Sequence, residues 1–147
     1  MLLFLFLKQI IYIITKENIK IDVSWFNKDA NRLTEAVFFK LYPVESEILL
    51  EKLGMNVDPY SVVEKGSKNL HAVKKVTLNN SKNTIKISNF TTPLISIGKG
   101  KILEFDNKFE KLSDGISYVL YNNVWGTNFP LWYEENARFE FLIGVEK

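Results

Sequence analysis

Apolar and polar residues alternate with period two along most of this chain, the pattern of half-buried strands. Ile19, Ile21, Val23 and Trp25 share one face of a run whose other face carries Lys20, Asp22 and Ser24. The solid apolar run at residues 10–14 reads as a buried strand, and the turn Lys16-Glu17-Asn18 joins the two into a hairpin. Further strands are predicted over residues 36–42 (ended by Pro43), 71–78, 84–89, 94–105, 115–125 and 137–145. Turn residues separate them at 79–83 and 113–115, while 27–34 and the middle around Asp58-Pro59 and Gly66-Ser67 read as loops. One helix competes, at residues 45–53. Ile48, Leu49, Leu50 and Leu53 fit helical spacing and Gly54 stops the run, though an extended segment fits nearly as well. About eight strands with frequent turns and hardly any helix predict an all-β fold, an antiparallel β-sandwich with at most one short helix.

The chain has 147 residues, 46% of them hydrophobic, enough for one domain with a core of its own. Residues 1–9 read as an apolar start foreign to the native domain, and residues 10–147 as a single β-sandwich domain. Neither apolar run near the start reaches the roughly 20 residues that span a bilayer. No positive charge precedes Leu2, and no small-residue cleavage triplet precedes Asp22, so no convincing signal peptide is present. A membrane anchor at residues 1–14 is the lesser reading, and the compartment stays open. The net charge of +2 is small and the lysines are dispersed, so no nucleic-acid partner is expected. The lysines between residues 65 and 75 read as a solvated face. The absence of Cys excludes disulfides, zinc–thiolate sites and a cysteine nucleophile.

The chemistry concentrates in residues 121–133, where aromatic rings alternate with amides and a hydroxyl. Rings stack on the C–H face of a sugar and amides bond its hydroxyls, so Asn122, Asn123, Trp125, Thr127, Asn128 and Trp132 are candidates for carbohydrate contact or for a domain interface. The competing reading is structural: Trp125 and Phe129 plug the core and the Asn side chains bond the turn. A second candidate group is Trp25 with Lys28, Asn31, Arg32 and Glu35, in which Arg32 either reaches a ligand or pairs with Glu35. His71, the only histidine, is either a general acid–base group or a hydrogen-bonded residue at a strand start. Glu134 and Glu135 are adjacent on an extended chain and point to opposite faces, which suits a solvated strand entry. Asp58 before Pro59 reads as a turn residue.

Three segments together resemble a known family: residues 21–36 (IDVSWFNKDANRLTEA), residues 52–59 with Val62, Val63 and Gly66 leading into Leu70-His71-Ala72-Val73, and residues 122–133 followed by Ala137-Arg138-Phe139. In this order they resemble the C-terminal β-rich region of proteins related to glycoside hydrolase family 38, the α-mannosidase family. The likeness runs from about Ile10 onward, and the segment Trp-Gly-Thr-Asn-Phe-Pro is its most specific part. The resemblance implies that catalysis belongs to a separate N-terminal α/β domain, where Asp and His residues hold zinc beside a carboxylate nucleophile. One His and no Asp-x-His or His-x-Asp pair leave this chain without such a site, so no cofactor or metal is expected in it. A departure lies before Pro93, where Thr91-Thr92 stand in place of an acidic residue.

The expectation is therefore a non-catalytic domain or detached fragment, not an enzyme by itself, whose partner is a catalytic glycosidase domain in the same or an adjacent polypeptide. The alternative is a stand-alone carbohydrate-binding module with Trp25, Trp125 and Trp132 as its platform.

Overall fold

The structure is a computed structural model, and it describes residues 7–30, 32–61, 70–101, 108–124 and 133–146. Eleven strands are described: β1 (Leu7–Ile14), β2 (Asn18–Phe26), β3 (Ala36–Leu41), β4 (Glu47–Lys52), β5 (Met55–Val57), β6 (Leu70–Ala72), β7 (Lys75–Asn79), β8 (Thr84–Asn89), β9 (Leu94–Ile97), β10 (Ile116–Asn122) and β11 (Ala137–Glu146). They form two antiparallel sheets, one of seven strands in the order β1-β2-β11-β8-β7-β4-β5 and one of four in the order β3-β10-β9-β6. The helical content among the described residues is two single 3-10 turns, Pro59–Ser61 and Leu112–Asp114. The fold is the all-β sandwich that the alternation predicts.

The inward faces make the core. Ile21, Trp25, Leu50, Val76, Ile87 and Phe141 from the large sheet meet Ile95, Ile97, Ile116 and Tyr118 from the small one. Rings bridge the layers: Phe141 lies 4.7 Å from Phe39 and 5.0 Å from Tyr118, and Trp25 meets Tyr121 edge-on at 6.4 Å. These contacts seat β3 and β10 over β2 and β11.

Seven strands cannot all be covered by four. β1 pairs fully with β2 on one side, with Ile10 opposite Val23, Tyr12 opposite Ile21 and Ile14 opposite Ile19. Ile10, Tyr12 and Ile14 therefore continue the core-facing side of the large sheet, yet they are 49%, 58% and 73% exposed. Ile11 and Ile13 on the other face are exposed as well. The reading of residues 10–14 as a buried strand is thus half correct: the strand forms, but it is an edge that extends past its covering sheet.

Two further readings change. Residues 45–53 hold a strand, β4, between β5 and β7, with no helix. Ile48 and Leu50 are buried while Leu49 and Glu51 are only partly covered, a period of two that a short apolar run disguises. The predicted strand at 71–78 is two strands in different sheets. At the crossing, Val73 N–H donates to Pro93 O (2.8 Å) and Lys74 N–H to Glu51 O (2.9 Å), so successive amides serve opposite layers. The strand predicted at 94–105 ends at Ile97. There Gly98 takes φ +78°, and a Cβ on it would fall 2.5 Å from Glu110 Cβ. Residues 102–107 lie outside the described residues.

Register places the loops. Trp25 pairs with Ala137, Phe141 with Asn89, Lys75 with Ser88, Glu51 with Lys75, and Asn122 with Ala36. One end of the sandwich therefore gathers the C-terminal ends of β2, β4, β6, β8 and β10, and with them Lys28, Asn122 and Asn123.

Candidate functional site

At this end a buried cation organises the residues singled out by sequence. Lys28 follows β2 and is 4% exposed. Its ammonium lies 3.0 Å from the Glu35 carboxylate, donates to Tyr133 O (3.2 Å) and Asp29 O (3.3 Å), and sits 5.0 Å over the Tyr121 ring. A buried ammonium needs a counter-charge and acceptors, and Lys28 has both. It thereby ties the segment after β2 to the start of β3 and to the entry of β11.

Asn123 makes the second tie. Its Nδ2 donates to Leu33 O at 2.8 Å, its Oδ1 accepts the Glu35 N–H, and its own N–H donates to Glu35 O at 3.0 Å. Asn122 Oδ1 accepts the Val124 N–H at 2.7 Å, an Asx turn that closes β10. The Asn122 and Asn123 amides, expected to meet sugar hydroxyls, hold backbone in this fold. Burial raises the Tyr121 phenol above its ordinary range, with the nearby Glu35 charge acting the same way, so this hydroxyl stays protonated.

Trp25 is 1% exposed, tilted against Phe139 at 5.1 Å, and its indole N–H donates to Glu135 O at 3.2 Å. Its rings face core, so a stacking platform that includes Trp25 is not what the fold builds. Arg32 is exposed beside this group. Trp125, Thr127, Asn128 and Trp132, with Asn31, lie outside the described residues. Their flanks, Val124 and Tyr133, belong to the end just described.

His71 is 2% exposed in β6, opposite Ile95. Lys52 Nζ donates toward its Nδ1 at 3.4 Å. Burial inside a strand suits the structural reading of this histidine. Glu134 and Glu135 are exposed residues leading into β11, and Asp58 caps its turn by accepting from Tyr60 N–H and Ser61 Oγ, both at 2.8 Å. The described residues bring together no group of three His, Asp or Glu side chains able to hold a metal ion. No helix among them is long and apolar enough to cross a membrane.

Sequence reasoning missed a second feature of the same end, a cleft of about 620 Å³ between the β4–β5 tip, the β6–β7 crossing and the loop after β8. Its apolar members include Leu53, Val73, Phe90 and Pro93, with Lys52 and Lys74 at its edge. Asn89 lines it too, anchored by Nδ2 donating to Val73 O (3.1 Å) and Thr92 O (2.6 Å). No sequence signal marks the cleft, because it is built from three segments that only the sheet pairing brings together.

No known protein-family model matches the chain, and no curated protein or solved structure does either.

Proposed function

We propose that this chain is a non-catalytic β-sandwich module that works by docking against a catalytic domain, as in the family 38-like glycoside hydrolases its sequence resembles. In this reading it contributes the 122–132 segment near that domain's sugar cleft. The observation that carries it is β1: an edge strand with five consecutive apolar residues exposed and no Lys, Pro or bulge among them to discourage pairing. A strand apolar on both faces suits the interior of a larger assembly. The carbohydrate-binding alternative loses Trp25 from its platform, because that ring is in the core.

The test is solution assembly. The isolated chain is expected to self-associate as its concentration rises in sedimentation velocity runs, and Ile10→Lys with Tyr12→Lys to return it to a monomer. Co-expression with a family 38 catalytic α/β domain should give a one-to-one complex that the same double variant fails to form. A wild-type chain that stays monomeric at high concentration and ignores the catalytic domain would sink the proposal.

A further inference from the structure

The geometry points to a second binding site: the cleft beside the β4–β5 tip takes an extended acidic peptide segment of a protein partner. One apolar side chain of that peptide seats between Leu53 and Phe90, and its flanking carboxylates meet Lys52 and Lys74. The site lies toward the sheet edge opposite β1 and stands independently of the docking proposed above.

Leu53 starts the argument. Lys52 pairs with Met55, so Leu53 and Gly54 alone form the turn, and both have positive φ (+51° and +82°). A two-residue hairpin with positive φ at both positions is a type I′ turn, for which Asn-Gly is the favoured pair. A leucine there costs roughly 1 kcal/mol of backbone strain. Its side chain is 100% exposed and so contributes nothing to the core. Neither local conformation nor packing explains a leucine at this position, and sites that break a local rule without structural gain are where function is expected.

The surroundings define the ligand. Phe90 is 66% exposed across the cleft, so two large apolar groups flank it. A second depression of about 350 Å³ shares Glu51, Lys74, Asn89 and Phe90 with the first and so adjoins it. Charge along the groove is one-sided. The Glu51 carboxylate is paired with Lys75 at 2.6 Å and also feels the charge of Lys74, which makes no direct ion pair among the described residues, and Lys52 Nζ lies 3.4 Å from the His71 ring. A groove walled by Leu53 and Phe90 and carrying three lysines against the single carboxylate of Glu51 complements an apolar side chain flanked by carboxylates.

The full-length chain should be panned against a displayed library of random octapeptides, and a selected peptide measured by fluorescence anisotropy. Asp and Glu are expected to be enriched around Phe, Leu or Trp. Leu53→Asn and Lys74→Glu should each weaken binding roughly tenfold. Leu53→Asn also relieves the turn, so its melting temperature should hold or rise, which separates lost binding from lost fold. Failure to enrich any peptide family, enrichment without acidic residues, or unchanged binding by Leu53→Asn would each overturn the assignment. So would a groove that binds phosphatidylserine vesicles in preference to every selected peptide.

Discussion

Replacing Lys28 by Met should unfold the loop end of the sandwich before anything else fails. Lys28 presents a side chain only 2% accessible, against 17% for its partner Glu35. The substitution keeps most of the stem volume but removes the charge. It leaves the Glu35 carboxylate largely buried without its closest cation and withdraws donors from the carbonyls of Asp29 and Tyr133. Breaking one side of a buried pair typically costs about 3–5 kcal/mol, because the surviving charge stays desolvated. Hydrogen bonds to a charged donor contribute about 1.5–3 kcal/mol each when buried, and part of that is already counted in the pair. The expected loss is about 3 kcal/mol, a fall in melting temperature of about 10 °C for a domain of this size.

Urea denaturation followed by tryptophan fluorescence gives the number, since Trp25 lies in the same corner of the core. The double variant Lys28→Met with Glu35→Gln removes the stranded charge and should regain about half of the loss. A single-variant loss below about 1 kcal/mol, or a double variant worse than the sum of the singles, would refute the account of Lys28 as the node joining these segments.

Two more outcomes follow from the same chemistry. Asn123→Ala leaves Leu33 O and the Glu35 N–H without their side-chain partner and should cost about 2 kcal/mol, with faster amide exchange at residues 33–35 by hydrogen-exchange mass spectrometry. The Arg138 guanidinium, donating to Asp22 at 2.6 Å, holds that carboxyl below the usual carboxylate range, with Ser24 assisting. A depressed folded-state pKa stabilises above the unfolded value near 3.9 and is lost as pH falls through the folded one, so Asp22→Asn should flatten the loss of stability below about pH 4. An unchanged acid limb in titrations of melting temperature would remove Asp22 from that explanation.

Strand positions were legible because alternation is written directly into segments such as 19–25 and 137–145, where each residue answers to one sheet face. Where one run serves two layers, the signal fails. Residues 71–78 read as one strand because no Gly, Pro or Asn interrupts them; the apolar phase does shift at Lys74-Lys75, between Val73 and Val76, and the hydrogen bonds to Pro93 and Glu51 show that this shift is the change of layer. The segment 47–52 misled for another reason: Ile48, Leu49 and Leu50 in succession satisfy both periods, and the partner strands that decide between them are nearly 30 residues away in β7 or across the turn in β5. Trp25 was legible as a core-face residue and equally as a ring for a ligand. Its fate depended on Phe139, Tyr121 and the Glu135 carbonyl, all more than 90 residues distant. A lysine as buried as Lys28 is beyond any pattern, since nothing local distinguishes it from the solvated lysines around it.

The residues first chosen for their chemistry and the residues that ask for a partner are different sets, and the difference carries the functional argument. Asn122, Asn123, Lys28 and Trp25 look like binding groups in a list of side chains, but each has a task inside the fold. Ile14 and Leu53 look like filler, yet neither is covered, and Leu53 also occupies a backbone conformation that favours another residue. Apolar exposure of this kind disfavours the free chain in water. A fold that retains it at an edge strand and again at a hairpin tip is better explained by surfaces that meet other molecules. The two places can be disabled separately, by Ile10→Lys with Tyr12→Lys at one edge and Leu53→Asn toward the other, and neither change touches the core that holds the sheets together.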